Sequence, residues 1–382
     1  MRIAHVTDTF PPRTGGIESQ VSDLSARQAA AGHDVHVLTA TLGEAGERGG
    51  VVDVERGVAV HRLGARLPFA LPVNPAESRL IAATLREVRP DVVHVHAGVV
   101  SPFAFDGARA ALRLHLPVAI TWHCMLDGVV RALRIGARLA GWDSSAVALS
   151  AVSDVAAVRV AQVFRVHVAI VPNGLDLEEW APRECDGAVQ PDDASQRGAG
   201  PLRLVSTMRL APRKRAVPLI DAVAAAAARL EPGALSLELI GTGPDLGRVT
   251  ERIERHGLGD VVRLLGRLPR PSVRAAYCGA DVFLAPAELE SFGIAALEAR
   301  VAGLAIIARR GTGIASFVTN GTNGLLVDDD AGLTDAIVRC AQDRPSVERV
   351  QHHNRTVLPD LGWDRVLDAA DAEYARARHL CR

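Results

Sequence analysis

The chain has 382 residues, of which 48% are hydrophobic and 4% aromatic, and its 43 basic and 44 acidic residues give a formal net charge of -1. This length accommodates two domains, whose cores must be built mainly from Ala, Val and Leu. The balanced charge argues against a general nucleic-acid binder, which needs an excess of Lys and Arg, so no nucleic-acid partner is expected.

The first half of the chain alternates predicted strands with helical stretches. The apolar run at 3–6 predicts a strand, TDTFPPRTGGIE a loop, and the periodic stretch 19–31, closed by Gly32, a helix. Further strands are predicted at 34–39, 91–96, 117–121, 146–152 and 167–171. Continuous apolar strands joined by helices indicate a parallel sheet covered on both faces.

A polar segment rich in Gly, Pro and Asp at 181–200 predicts a linker. After it the same architectural class repeats, with strands at 202–207, 235–240, 261–265, 282–286 and 304–308 and helices at 217–230 and 244–257. The stretch 364–378 predicts an amphipathic helix. We therefore expect an α/β protein with one domain over 1–180 and a second over 201–360.

The segment ELESFGIAALEARVAG places two carboxylates near a predicted helix start. Glu290 lies in the loop after the strand 282–286, Ser291 is the expected N-cap, and the helix is expected over 294–302. The first N–H groups of a helix attract anions and hydroxyls. Glu290 and Glu298 are separated by roughly one to two turns, which suits two ends of one elongated ligand. A loop charge and a solvated helix residue fit the same spacing.

The segment MRLAPRKRAV forms a basic strand-to-helix loop with Arg209, Arg213, Lys214 and Arg215. The planar fork of Arg and the compact charge of Lys together suit a diphosphate. A solubilising turn is the alternative interpretation.

Polar residues in the first half of the chain indicate a ligand site less strongly than the segments of the second half do. The two glycines of TGGIE let the backbone approach a ligand, but they do not form GxGxxG, so a dinucleotide site is not supported. His123 and Asp127 follow the strand 117–121 at its ligand-facing end, where a structural histidine is the alternative. His94 and His96 are interpreted as core residues that face opposite ways, and no metal site is expected.

The cysteine pattern and the apolar runs bear on localisation. The five cysteines are scattered without CxxC spacing, which fits a reducing cytoplasm rather than a disulfide framework. The N-terminus has no cleavable signal pattern, and no apolar run reaches transmembrane length. A cytoplasmic protein is expected, and peripheral contact with the inner face of a membrane stays an open alternative.

Taken together, these segments resemble family four of the glycosyltransferases, a retaining group with the GT-B fold of two Rossmann-like domains that face each other across a cleft. The resemblance extends over nearly the whole chain, in order and spacing. Its strongest element is E-x7-E, at Glu290 and Glu298. The other matching segments are TDTFPPRTGGIE, TWH at 121–123, AVS at 151–153, VPNGLD at 171–176, the Arg209, Leu210 and Lys214 set, LIGTGP at 239–244 and NGTNGLLV at 320–327.

The resemblance implies a binding site for a nucleotide-sugar donor. Gly16 is the backbone that approaches the donor diphosphate from the N-terminal domain, and Arg209 and Lys214 form the diphosphate clamp. The segment 361–382 corresponds to the family's terminal helix, which returns toward the N-terminal domain.

Residues around the transferred sugar are implied in the same way. Glu290 binds its hydroxyls, with the amides of Phe292 and Gly293 beside it. Glu298 binds the ribose, and His123 is the active-site histidine near the primary hydroxyl of the sugar.

The implied activity is retaining transfer of a hexosyl-type sugar to a hydroxyl acceptor, such as a glycolipid, a polysaccharide or a small metabolite. The donor is a UDP- or GDP-linked co-substrate, and neither a cofactor nor a metal is expected. Ala305 and Ser316 depart from the family pattern, which has Pro and Glu at these places. Two alternatives stay open: a nucleotide-sugar epimerase of the same architecture, and a non-catalytic protein that binds sugar nucleotides.

Overall fold

The computed structural model describes residues 1–13, 15–43, 51–65, 74–139, 146–182 and 200–381, without the side chains of 51 and 136–139. The chain forms two compact units, one comprising Met1–Gly174 with Leu361–Arg382 and the other Leu175–Asp360. The predicted linker lies almost wholly outside the described residues.

The first unit is an α/β sandwich around one twisted sheet. Its strands are β1 (Arg2–Thr7), β2 (Asp34–Thr39), β3 (Val51–Glu55), β4 (Val58–Arg62), β5 (Val92–Ala97), β6 (Val118–Trp122), β7 (Ala148–Ala151) and β8 (Val168–Ile170). Its first helices are α1 (Gly16–Ala30), α2 (Glu77–Val88), α3 (Pro102–Arg113), α4 (Val130–Leu139) and α5 (Asp154–Phe164). The eight strands lie in the order β3-β4-β2-β1-β5-β6-β7-β8, and only the β3–β4 pairing is antiparallel.

The second unit repeats this plan with a six-stranded sheet. Its strands are β9 (Leu202–Thr207), β10 (Leu235–Ile240), β11 (Val262–Gly266), β12 (Val282–Ala285), β13 (Ala305–Arg309) and β14 (Gly324–Val327). Its helices are α6 (Leu177–Trp180), α7 (Ala216–Ala227), α8 (Leu246–Arg255), α9 (Arg270–Cys278), α10 (Ile294–Val301), α11 (Asp330–Gln342) and α12 (Arg344–Thr356). The strand order is β11-β10-β9-β12-β13-β14, and every pairing is parallel.

Helix α13 (Trp363–Leu380) belongs to the first unit although it follows the second unit in the chain. Tyr374 and Ala370 are fully buried in a cluster with Ile3 and Val92 of the first sheet. None of the described helices has both the length and the apolar character needed to cross a bilayer.

The boundary after the first unit lies at Gly174, whereas the sequence placed it at 180. The physical reason is that α6 packs within the second unit, where the ring centroids of Trp180 and Tyr277 are 5.8 Å apart.

The antiparallel pair β3–β4 was not predicted. Arg56 and Gly57 connect the two strands, with φ values of 52° and 81° respectively. Positive φ at both central residues is typical of the two-residue turns that join hairpin strands. The alternation in VVDVE-RG-VAVHR was therefore a signal that could have identified it.

Among its parallel strands, each sheet has one point where the strand order reverses. In the first sheet β1 lies beside β5, and in the second β9 lies beside β12. In open α/β sheets, ligands bind beyond the carboxyl ends of the strands at such a point. The loops after β1, β5, β9 and β12 are therefore where site residues are expected.

Candidate functional site

The basic turn after β9 is held close to the loop after β10. Leu210 N donates to Thr242 O at 2.9 Å, and a Cβ on Gly241 or Gly243 would lie 1.8 Å from Met208 O or 2.2 Å from Leu210 O. Side chains at these two glycines would therefore push the basic turn away. This explains the glycines of the LIGTGP segment.

Lys214 and Glu290 meet at the switch point of the second sheet. Lys214 Nζ lies 2.5 Å from Glu290 Oε2, and their side chains are 26% and 17% exposed. Because β9 and β12 are neighbours, the turn after one strand reaches the loop after the other. Arg209 is exposed at the start of the same turn. The structure thus joins a cation and a carboxylate that the sequence separates widely.

The start of α10 differs from its prediction. Gly293 is the N-cap, with φ of 92° and no side-chain capping bond, so the expected capping role of Ser291 is wrong. The physical reason is that the loop turns through a left-handed residue, which glycine adopts without steric cost. Phe292 is buried and packs on Phe317, with ring centroids 5.4 Å apart. The side chain of Phe292 is therefore a core element, and only its backbone can contact a ligand.

Glu298 lies on α10 and is not a solvated helix residue. Burial raises the pKa of its carboxyl to about 8, with Glu179 adding to the rise and Arg270 opposing it. Tyr277, whose own pKa is raised by burial and by Glu298, donates its hydroxyl to Thr207 Oγ1 at 3.0 Å. Glu298 therefore lies in a low-dielectric environment, where hydroxyl donors would favour its charged form.

Arg215 leaves the basic turn for a separate ionic network. It pairs with Asp330 at 2.6 Å and with Glu288 at 3.2 Å. Arg309, which is only 2% exposed, contacts Asp330 at 2.5 Å and Glu288 at 3.4 Å. The sequence analysis missed Glu288, Arg309 and Asp330. Of the four predicted cations, the structure brings Lys214 into contact with Glu290.

The two departures from the family pattern have structural roles. Ser316 donates its hydroxyl to Gly313 O at 2.5 Å, and Ala305 is buried at the start of β13. Gly313 N in turn donates to Glu290 O at 2.7 Å. Ser316 therefore supports the glycine-rich loop that holds the backbone of Glu290.

In the first unit, His123 and Gly16 lie at the carboxyl edge of the sheet. His123 follows β6, and its backbone N donates to Ala97 O at the end of β5 at 2.9 Å. Burial lowers the pKa of its imidazole to about 4, so the ring is neutral near pH 7. Gly16 is exposed at the first residue of α1, after β1. Asp127 pairs instead with Arg159 at 2.8 Å.

Asp8 was missed by the sequence analysis. It follows β1 and is 6% exposed, and burial raises the pKa of its carboxyl to about 6. Its Oδ1 accepts from Phe103 N, in the first turn of α3, at 3.0 Å. The carboxyl is thus tied to a helix start at the switch point of the first sheet.

The prediction that His94 and His96 face opposite ways is wrong. Residues two apart on a strand share a face, and the two ring centroids lie 4.2 Å apart. Both are buried beside His5, and the ligand atoms of the three imidazoles lie within 4.8 Å of one another. Burial lowers the pKa of all three rings, which are therefore neutral. This is the cluster among the described residues whose ligand types and spacing could hold a metal ion.

Two family models match the chain. The model "Glycosyl transferases group 1" matches residues 192–356, and "Glycosyltransferase Family 4" matches residues 14–179. One match falls mainly on the first unit and the other on the second, and neither includes residues 361–382.

Similar proteins of known name span most or nearly all of the chain. Glycogen synthase of Mycobacterium tuberculosis is 27% identical, with 99% of this chain and 95% of the relative covered. D-inositol 3-phosphate glycosyltransferase of Kribbella flavida is 28% identical, with 98% and 94% covered. GDP-mannose-dependent alpha-mannosyltransferase of Mycolicibacterium smegmatis is 27% identical, with 86% and 85% covered.

Solved structures share the fold. HepE of Anabaena, crystallised with UDP and glucose, superposes with a TM-score of 0.76 at 18% identity and covers 98% of this chain and 100% of its own. Sucrose-phosphate synthase of Thermosynechococcus elongatus gives a TM-score of 0.76 at 20% identity, with 98% of each chain covered.

Proposed function

The chain belongs to the glycosyltransferases of group 1 and family 4 and has the GT-B fold, and from that premise we propose that it transfers a hexosyl-type sugar with retention of anomeric configuration. The donor is a nucleoside-diphosphate sugar, UDP- or GDP-linked. The acceptor is a hydroxyl group of a glycolipid, a polysaccharide or a small metabolite.

The contact between Lys214 and Glu290 is the observation that carries this proposal. Each group neutralises the other, so a ligand that replaces the pair must offer both an anion and hydroxyls. A sugar diphosphate does so, because its phosphates take the ammonium and its sugar hydroxyls donate to the carboxylate. Glu298 offers the acceptor for ribose hydroxyls further along α10.

Negative charge grows on the leaving diphosphate as the sugar bond breaks. Lys214, Arg209 and the first N–H groups of α10 next to Gly293 stabilise that charge. Fixed cations then serve where other enzymes use a metal. We propose front-face substitution, in which the departing phosphate accepts the proton of the acceptor hydroxyl, so no side chain acts as a nucleophile.

The first unit contributes Gly16 and His123 to this reaction. Gly16 is exposed, without a side chain, at a helix start that suits a phosphate. The neutral imidazole of His123 suits a hydrogen bond with a sugar hydroxyl.

We place the reaction in the cytoplasm. Helix α4 supports peripheral contact with a membrane, because it carries Arg131 one turn from Ile135, which is 58% exposed.

A binding screen with UDP-, GDP- and ADP-sugars, followed by product analysis with and without acceptors, tests the proposal. We expect one donor to bind, and the purified product to keep the anomeric configuration of that donor. Conversion of the donor without an acceptor would instead identify an epimerase. Tight binding without turnover on any acceptor class would identify a non-catalytic binding protein.

A further inference from the structure

A continuous chain of hydrogen bonds crosses the interior of the first unit and reaches His123. It begins at a backbone carbonyl and connects side chains of β1, β5, β6, β7, α1 and α13. In order, its members are Ile120 O, Ser150, Thr121, His94, Tyr374, Gln28, His5, His96 and His123.

The carbonyl at one end sets the direction of the first part of the chain. Ser150 Oγ lies 3.3 Å from Ile120 O, which can only accept, so Ser150 donates to it. Thr121 must then donate to Ser150, 2.8 Å away. Because the hydroxyl hydrogen of Thr121 is used, His94 Nε2 donates to it at 2.7 Å. The Nδ1 of neutral His94 is left as an acceptor, and the Tyr374 hydroxyl, 2.9 Å away, donates to it.

The same reasoning continues through Gln28 to the site. Since Tyr374 uses its hydrogen, it accepts from Gln28 Nε2 at 2.9 Å, which turns Gln28 Oε1 toward His5 Nε2 at 2.7 Å. His5 is therefore protonated on Nε2, and its Nδ1 accepts from His96 Nε2 at 2.9 Å. His96 Nδ1 in turn accepts from His123 Nε2 at 3.0 Å.

We infer that Gln28 is a positioning residue that fixes His123 as the tautomer with hydrogen on Nε2 and a hydrogen-bond acceptor at Nδ1. One part of the chain requires a donor and the other an acceptor, and the amide supplies both: its nitrogen donates to Tyr374 and its oxygen accepts from His5. The inference deepens the proposed function, on which its catalytic meaning rests: with this tautomer, Nδ1 accepts a hydrogen bond from a sugar hydroxyl.

The chain also bears on the imidazole cluster as a metal site. A neutral imidazole has one lone pair in its ring plane. Here the lone pairs of His5, His94 and His96 each accept a hydrogen bond, from His96, Tyr374 and His123 respectively. The geometry therefore points to a hydrogen-bonded relay rather than a set of metal ligands. Burial, which keeps these rings neutral, supports the same assignment.

The tautomers are measurable directly by NMR of the full-length protein labelled with isotopic nitrogen in its histidines. Long-range proton–nitrogen correlation spectra distinguish a ring protonated on Nε2 from one protonated on Nδ1, and His123→Gln identifies the signals of that ring by their loss. We expect wild-type His123 to be protonated on Nε2. Protonation on Nδ1 would overturn the inference, whatever the enzyme's activity.

Two substitutions distinguish the effect of Gln28 on the direction of the hydrogen bonds from the effect of its side-chain packing. Gln28→Leu removes the acceptor for His5, so His123 should show both tautomers. Gln28→Glu keeps an oxygen that can accept from His5, although it loses the donor to Tyr374, and should return His123 to the single Nε2 tautomer. A single Nε2 tautomer in Gln28→Leu would contradict the inference. Should that variant fail to fold, the wild-type and Gln28→Glu spectra still decide.

The matched control is the separate imidazole pair of the first unit, in which His36 Nδ1 lies 3.0 Å from His61 Nε2. His61→Gln disrupts a part-buried pair that lies outside the chain and should leave the tautomer of His123 unchanged. A changed tautomer in this variant would show that general loosening, rather than the relay, governs His123.

Kinetics add a second readout. In Gln28→Leu we expect kcat to fall roughly tenfold with KM for the donor little changed, and Gln28→Glu to recover most of it. Equal losses in both variants would assign Gln28 a packing role only. If the wild type shows the expected tautomer but transfers no sugar, the proposed function fails while the relay stands.

Discussion

The two units place their candidate site residues by different physical means. In the first unit, His123 belongs to a chain of neutral groups whose hydrogen bonds have a fixed direction. In the second, Lys214 and Glu290 hold each other by charge, and both remain partly exposed. A neutral relay determines which ring atom of a histidine carries the proton. An ion pair instead supplies two opposite charges, each of which a ligand can bind in place of its partner. The predictions below test that contrast, beginning with the largest effect.

Replacing Glu290 by Gln removes the carboxylate and keeps the shape of the side chain. We expect turnover to fall by on the order of a hundredfold, because the contact to the transferred sugar is lost where charge develops. Affinity for the free nucleoside diphosphate should stay the same or rise, since Lys214 loses its competing partner. Steady-state kinetics and calorimetric titration measure both, and Glu231→Gln, at an exposed position, is the control. Unchanged turnover would remove Glu290 from the site.

Lys214→Ala should weaken binding of the nucleoside diphosphate about tenfold, which corresponds to about 1.4 kcal/mol. The cation is lost, and the unpaired Glu290 carboxylate repels phosphate. Arg213→Ala, an exposed residue of the same turn, is the matched control and should change affinity much less. Equal effects of the two substitutions, measured by calorimetry, would indicate a diffuse basic surface rather than a clamp.

The raised pKa of Glu298 predicts a pH dependence of nucleotide binding. Ribose hydroxyls donate to the carboxylate and so favour its deprotonated form, which makes binding release a proton. Affinity should therefore increase as pH rises through the pKa of about 8 in the free protein, by up to about tenfold between about pH 7 and pH 9. Calorimetry in buffers of different ionisation enthalpy measures the proton release. Glu298→Gln should abolish this dependence, and a variant that keeps it would refute the assignment.

The smallest expected effect is that of ionic strength, which should act on the candidate site of the second unit and not on the histidines of the first. Partly exposed charges are screened, so affinity for the nucleoside diphosphate should fall by roughly threefold between low and physiological ionic strength. The histidine tautomers of the first unit, which depend on neutral groups, should not change in the same NMR samples. Tautomers that shift with salt would show that the relay senses surface charge.

The fold was largely predictable because its strands are continuous apolar runs between helices. The β3–β4 hairpin was missed although its alternation and Arg-Gly turn were visible. For the site, the sequence supplied candidate residues, which stay predictions, but not the contacts between them. The meeting of Lys214 with Glu290 depends on β9 and β12 being neighbours, which no local pattern states.

The chain of hydrogen bonds through the imidazoles was likewise predictable in one part and not in another. Strand periodicity alone could have placed His94 and His96 on one face. Tyr374 offered no signal, because it lies 280 residues from His94 in the chain and meets it only through the packing of α13. Buried polar residues contributed by distant segments are what a sequence pattern identifies least well.

The late position of α13 has a consequence for biosynthesis. Residues up to Gly174 leave the ribosome well before Tyr374, so for that interval His94 and Gln28 lack the hydroxyl that connects them. In the nascent first unit, these two polar side chains must then be hydrated by water while Leu175–Asp360 is still being made. We expect limited proteolysis of ribosome-bound chains to find this unit protected only after the segment carrying Tyr374 has emerged.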